Sequence, residues 1–306
     1  MKRVFLGITL SSAIIVLTFS SQAVASTSLV EPDGSKGGTY VETVDGKDII
    51  DYPVSAEIKE QQQKKGLMAE FNLKYKKGEI SQKAYISKLK DLGASEDTIS
   101  TAYGIKTFDT ENSLINGMNS LQPFSLSSTK LNVIIPFWQI PQQTTYFCGP
   151  ATASEIIRAK AFNTINQYDL ATPLHCTTDG TPWYDGSYPM RDTLNSYLNT
   201  SFYTPYGTTV TASDFQSFVI YDIDQQYGTA GDAWEVPGGP HLVGHPVNST
   251  IYHWFAIFGY DDYGNTIHYK DSVAGSTVSW SGSVPESSSM NYATLATIVN
   301  GRGIIW

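Results

Sequence analysis

Near residue 130 the chain changes character, and this break limits the folds open to it more than any other feature. Residues 26–130 carry 13 lysines against 15 acidic residues and no tryptophan, whereas residues 131–306 carry 5 basic residues against 14 acidic ones, all six tryptophans and 14 of the 19 tyrosines. Two different units are joined here. A length of 306 residues accommodates both, and with 41% hydrophobic and only 16% charged residues neither intrinsic disorder nor a coiled coil describes the whole. The net charge of −9 argues against a nucleic-acid binder, which needs a cationic footprint, and equally disfavours acidic partners.

At the start, Lys2 and Arg3 precede an apolar run over 4–19, and Ala23, Val24 and Ala25 follow with small residues at the two positions a signal peptidase reads. This pattern predicts a secretory signal over 1–25, cut after Ala25. The run is shorter than the ~20 residues a membrane span needs, and Gly7, Thr9, Ser11 and Ser12 dilute it. The mature protein is therefore expected to be secreted, with no stable membrane association after cleavage.

The first unit opens with a glycine-rich polar stretch over 31–51 that shows no period. Ser55 then caps a predicted helix from Ala56 onward in which Leu67, Phe71 and Tyr75 recur at intervals of four, and Gly78 breaks it. Ser81 caps a second helix ending at Gly93, and Ser95 starts a short third one. The Ser/Asn/Thr-rich segment 107–130 reads as a linker. In the second unit, helices are predicted over 151–162, after Asn166, over 190–198 and from Ser213. Strands follow over 251–258, 266–270, 277–280 and 292–299. Helices first and strands after is an α+β order, not a doubly wound one.

One segment carries chemistry. In the run from Gln142 to Thr152, Cys148 lies where a loop feeds a helix, and Pro150 suits the first helical position, where its missing N–H costs nothing. A thiol there faces unpaired N–H groups and the positive end of the helix dipole, which favour the nucleophilic thiolate. Gln142, six residues upstream, can aim its side-chain amide at an oxygen near that sulfur. Acyl transfer requires these parts: a nucleophile, and donors for a developing oxyanion. A base is supplied by a predicted hairpin. Residues 251–259 and 265–271 flank the turn sequence Asp261-Asp262-Tyr263-Gly264, and a turn centred on Asp262 opposes His253 to Asp271, on one face. A carboxylate so placed would hold the imidazole in one tautomer, and a register slip of one would destroy the pairing.

These residues resemble the papain-like cysteine peptidases, specifically the type related to bacteriocin-processing, double-glycine leader peptidases. The resemblance runs over about 134–274 and takes in Gln142 to Cys148-Gly149-Pro150-Ala151, Asn166-Gln167, Leu170-Ala171, Asp179-Gly180-Thr181, Met190, Leu194-Asn195, Gly244-His245-Pro246, His253-Trp254, Gly259-Tyr260-Asp261 and Asp271-Ser272. It implies a Cys148 nucleophile, a His253 base, Asp271 orienting that base and Gln142 as oxyanion donor. Gln143 competes for the last role, and only the family's six-residue spacing favours Gln142. Residues 26–130 have no counterpart in the resemblance. The transporter domains of the leader peptidases are absent too, so the leader-peptide substrate does not carry over.

Other readings stand beside this one. Cys148 and Cys176 can form a disulfide in a secreted, non-catalytic binding protein; otherwise Cys176 is a buried structural thiol. The same thiol machinery also suits an amidase or acyltransferase acting on cell-wall peptides. His241 and His245 have a zinc-like spacing, but in a Gly/Pro-rich stretch that forms no helix. Asp222 and Asp224 read as solvated helix surface, and Trp183, Trp234 and Trp254 as cleft or core. The expectation is thus an α+β, papain-like cysteine peptidase domain over 131–306, acting on a peptide or protein substrate without cofactor or metal. Ahead of it come a small helical region over 26–106, either a pro-region paired with the acidic domain or an accessory region, and the linker 107–130.

Overall fold

The computed structural model describes residues 31–105, 107, 132–207 and 209–306. The signal-type segment 1–25, and all of the linker 107–130 except Thr107, lie outside the described residues.

Capping chemistry sets the first three helices. α1 (Ala56–Lys76), α2 (Gln82–Asp91) and α3 (Glu96–Ala102) begin where Ser55, Ser81 and Ser95 each accept a hydrogen bond from the backbone N–H three residues on. Each such cap contributes about 1 kcal/mol. Gly78 and Gly93, both at positive φ, follow the ends of α1 and α2. The stretch before them, expected to be irregular, holds an antiparallel hairpin of β1 (Thr39–Val44) and β2 (Lys47–Asp51). β1 is exposed along almost its whole length and its register slips between Tyr40 and Glu42, so no alternation of polar and apolar residues marks it.

The second unit is α+β, as expected. α4 (Cys148–Ala161), α5 (Gln167–Ala171), α6 (Pro189–Tyr197) and α7 (Ala212–Asp224) precede most of the sheet. Strands β3 (Asn132–Ile134), β4 (Pro205–Gly207), β5 (Thr229–Glu235), β6 (Ile251–Asp261), β7 (Thr266–Lys270), β8 (Ser287–Asn291) and β9 (Gly303–Ile305) pair antiparallel in the order β4-β9-β5-β6-β7-β8, with β3 also on β6. β6 is buried on both faces. Trp254 and Ala256 join Ile156 and Ile157 of α4, while Phe255 and Ile257 join Phe215 and Val219 of α7. Trp183, Trp234 and Trp254 are all buried, so these tryptophans serve as core.

Two expected strands differ. Residues 277–280 are bend and turn, and 292–299 form α8 (Tyr292–Val299), where the Asn291 side chain accepts the Ala293 N–H at 2.9 Å. A short apolar run suits a buried strand or a buried helix equally, and the asparagine cap selects the helix. Thr211, not Ser213, caps α7.

The two units share their cores. Met68, Ala69, Tyr85 and Leu89 of the first pack into the cluster built on Phe215, Phe255 and Ile257, and Ile50, Tyr52 and Ile58 join the cluster under α4. Of the expected Leu67-Phe71-Tyr75 face of α1, Tyr75 is buried and Phe71 packs against the core. Leu67 is exposed, whereas Lys65, Met68, Asn72 and Lys76 are buried. Lys65, Asn72 and Lys76 meet Asp222 and Asp224, which are buried rather than solvated. Lys65 Nζ lies 3.0 Å from Asp222 Oδ1 and 3.5 Å above the Phe202 ring. Asp224 accepts hydrogen bonds from Tyr260 and Asn72, each at 2.8 Å, and pairs with Lys76 at 3.5 Å. Charges leave water only where opposite charge or hydrogen bonds meet them, and here each unit supplies what the other buries. Lys47 repeats the pattern by donating to the carbonyls of Thr297, Ile298 and Asn300 at the end of α8. Fully buried Arg302 pairs with Glu31 at 3.2 Å and Asp33 at 3.4 Å. Among the described residues no helix is long and apolar enough to cross a membrane.

Candidate active site

Cys148 is the first residue of α4. Phe147 before it has a non-helical backbone and supplies no side-chain cap, so the first-turn N–H groups are left for another acceptor. Pro150 therefore sits third in the helix rather than first, still among positions whose N–H has no intrahelical partner. Gly149 is required by contact, because a β-carbon there would collide with the Thr181 side chain.

The loop before Cys148 is stitched to three elements. Ile140 N–H donates to Glu155 Oε1 of α4 at 2.7 Å. Gln167 of α5 accepts the Gln143 N–H and donates to the Pro141 carbonyl, both at 2.9 Å. Gln139 donates to the Asp271 and Ala274 carbonyls at 3.1 and 2.9 Å, and Gln142 N–H donates to the Ser272 carbonyl at 2.8 Å. Of the two competing glutamines, Gln142 is buried and Gln143 is exposed. The Gln142 amide donates to the Thr144 carbonyl at 2.8 Å while its oxygen accepts from Ser272 Oγ at 3.3 Å, which fixes the orientation and leaves one amide hydrogen for a ligand.

His253 and Asp271 do meet, although not in the expected register. β6 and β7 pair Ala256 with Lys270 and Ile257 with Tyr269, and the register shifts between Ile257 and Gly259. Continued by one residue, this pairing opposes Asp271 to Phe255, so His253 reaches the carboxylate diagonally. Phe258 is the extra residue of a bulge. Without it, the pairing nearer the turn would carry Asp271 to the opposite face from His253. His253 Nε2 lies 3.0 Å from Asp271 Oδ1, and the Cys148 thiol beside the ring also favours its charged form.

Two further groups complete the cluster. Asp271 Oδ2 lies 2.9 Å from His245 Nε2, and His245 Nδ1 lies 2.9 Å from Glu235 Oε2. β5 pairs Ala233 with His253, so Glu235, two residues on, shares the face of His253 and Asp271. All four side chains are buried. Spacing along the chain does not reveal His245 and Glu235, because one lies in the β5–β6 loop and the other at a strand end. The one sequence signal was His245 within Gly244-His245-Pro246. Its neighbour His241 hydrogen-bonds the carbonyls of Gly239 and Ser249, each at 3.0 Å, and so ties down the loop.

Charge balances across this chain of groups. Burial works against a charged His253, but the charge and hydrogen bond of Asp271, with Cys148 beside it, hold its pKa well above the ordinary value. Burial likewise opposes charge on His245, and its hydrogen bonds to Asp271 and Glu235 outweigh that, so its pKa is raised too. Asp271 would be pushed up by burial, yet the His253 charge and the hydrogen bonds of both histidines hold it below the usual carboxylate range. Burial pushes Glu155 well above that range, against its backbone hydrogen bond from Ile140.

Both cysteines are free thiols. Burial pushes the Cys176 thiol up to about 12, so Cys176 remains protonated at neutral pH. Among the described residues, His245, His253 and Asp271 are the one group whose ligand atoms lie close enough together, within 4.8 Å, to hold a metal ion. Each histidine Nε2 already faces a carboxylate oxygen, so a cation would have to displace these hydrogen bonds.

No curated protein matches the chain. The model of the Peptidase_C39 like family matches residues 134–294, a span that holds Gln142, Cys148, His245, His253 and Asp271. That match covers more than half of the chain, runs from the last residue of β3 into α8, and suggests a cysteine peptidase. The chain belongs to the Peptidase_C39-like family.

Proposed function

We propose that the protein is a secreted cysteine peptidase of papain-like architecture that hydrolyses peptide bonds through Cys148, His253 and Asp271, with Gln142 as oxyanion donor. The observation that carries this reading is the buried His253 Nε2 to Asp271 Oδ1 contact of 3.0 Å, with Cys148 beside the ring at a helix start. In the mechanism the Cys148 thiolate attacks the scissile carbonyl carbon. The Cys148 N–H and the remaining Gln142 amide hydrogen stabilise the oxyanion. His253, protonated, gives its proton to the leaving amine as the C–N bond breaks, leaving a thioester on Cys148. It then takes a proton from water, whose oxygen attacks the thioester carbonyl, and the thiolate is released. Asp271 holds the ring in one orientation throughout and transfers no proton.

Cys176 offers no competing nucleophile, since burial keeps its thiol protonated. The first unit is part of this proposal as an accessory region of the folded enzyme. Its shared cores and buried ion pairs favour that role over a cover that is removed. Secretion rests on the signal-type pattern of residues 1–25.

Cys148→Ser tests the function. Hydrolysis of a mixed peptide substrate is expected to fall to background while the circular-dichroism spectrum and thermal midpoint stay those of the parent. Undiminished hydrolysis in the serine variant would refute the proposed mechanism.

A further inference from the structure

Outside the catalytic triad, His245 is set between two carboxylates, and its hydrogen bonds demand a particular charge. Both of its ring nitrogens face carboxylate oxygens at 2.9 Å, Nδ1 toward Glu235 Oε2 and Nε2 toward Asp271 Oδ2. A neutral imidazole has one N–H and one bare nitrogen, so it would set a lone pair against one of those oxygens; an imidazolium donates to both. The carboxylates are also spoken for on their other oxygens. Glu235 Oε1 accepts the Leu242 N–H at 2.8 Å, and Asp271 Oδ1 accepts the Val273 N–H at 2.9 Å.

The loop that delivers His245 is built to hold it there. Gly244, at φ +87°, leaves no room for a β-carbon against the Ser283 backbone, and Ser283 Oγ donates to the Gly244 carbonyl at 2.8 Å. Trp280 packs on the ring with centroids 4.6 Å apart, and the His245 side chain has no exposure to solvent.

We propose that His245 is a positioning residue that stays an imidazolium at neutral pH, held between Glu235 and Asp271, and that its charge sets how readily His253 gives up its proton. This deepens the peptidase reading and rests on it. Asp271 is shared between two rings, so its negative charge is offset from behind by His245. Remove that second cation and Asp271 would grip the His253 proton harder. The rings are 5.3 Å apart, and their mutual repulsion acts in the same direction. Glu235, Asp271 and His253 face His245 directly from β5, from the end of β7 and from β6. Further out, Glu155 of α4 and Tyr269 of β7 sense the Asp271 charge, and Lys47 of β2 senses Glu235. Tyr269, pushed up to about 12 chiefly by burial, carries no charge near neutral pH, whereas the two carboxylates touching His245 both favour its charged form.

Two measurements test this on the full chain. In the first, ring 15N NMR is recorded on histidine-labelled Cys148→Ser protein, with His245→Gln used for assignment. Both His245 nitrogens are expected to be protonated across about pH 6 to 8, where an ordinary histidine loses its proton. A neutral His245 tautomer in that range would overturn the proposal, whether or not the protein is a peptidase. The second is the pH profile of kcat/KM for wild type and for Glu235→Gln/His245→Gln, which removes both charges together and so avoids a buried unpaired carboxylate. The alkaline limb, where His253 loses its proton, is expected to move up by about one pH unit, a tenfold change in proton affinity, with KM unchanged. An equal loss of kcat at every pH, with the limb unmoved, would mean that His245 only supports the fold and would also overturn the proposal. Absence of peptide hydrolysis by wild type would sink the peptidase reading instead, and the NMR result would then decide the charge of His245 alone.

Discussion

Among the described residues, the cluster of buried charge between α1 and α7 and the one at the mouth of α4 handle burial in opposite ways. In the first, Asp222 has one ammonium, Lys65, and one hydroxyl, Thr229, for company. Burial wins there and pushes Asp222 up to about 6 and Lys65 down to about 8. In the second, Asp271 has two imidazole rings and a backbone N–H, and its carboxyl is held below the usual range despite equal burial. Burial of charge by itself is therefore not a mark of function. What separates the clusters is that one closes on itself across an interface, while the other ends at a thiol on a helix start.

The largest effect that sharpens this contrast is in activity. His253→Ala is expected to reduce kcat/KM by about 10⁴-fold or more, and Asp271→Asn by less, because an amide oxygen still accepts from the ring. Steady-state kinetics on folded, monodisperse variants measures both. Equal and complete loss would mean that Asp271 does more than orient the base.

How much of this is legible in sequence depends on how far apart the interacting residues lie. Ser55, Ser81, Ser95 and Asn166 announce their helices because a cap acts on an N–H two or three residues away. Cys148 is legible because its loop-to-helix context is equally local. His253 and Asp271 could be paired by hairpin arithmetic, but their register could not, since the bulge at Phe258 leaves no signature in residue type. Lys65 and Asp222 lie far apart in the chain, so each reads alone as solvated surface until α1 docks on α7. The same distance hides His245 and Glu235.

At the interface the second prediction is one of stability. Lys65→Ala leaves Asp222 buried without its cation and is expected to cost about 3–5 kcal/mol, while Lys65→Met/Asp222→Leu is close to neutral. Urea denaturation gives the free energies. Activity per folded molecule should be unchanged in both, which distinguishes this cluster from the one at Cys148. The same packing implies that residues 131–306 alone do not fold stably, because both cores lose side chains of the first unit.

The smallest effects appear in the pH dependence of the thermal midpoint. His253 has a raised folded pKa, so its contribution to stability is complete below the unfolded value of ~6.5 and lost as pH rises through the folded one. Asp222 is a carboxylate with a raised pKa, so it binds a proton more tightly when folded, and stability declines as pH rises from ~3.9 to about 6. His253→Gln is expected to flatten the alkaline decline and Asp222→Asn the acidic one. An unchanged acidic profile in Asp222→Asn would mean that Lys65 compensates the burial fully and would erase the contrast drawn here.

The most direct measurement is labelling of the full chain with an epoxide probe for cysteine peptidases, followed by mass-spectrometric location of the adduct. One adduct at Cys148 is expected, lost in His253→Ala and unaffected by Cys176→Ser. An adduct at Cys176, or labelling of Cys148 at the same rate without His253, would contradict a thiol activated by the buried histidine.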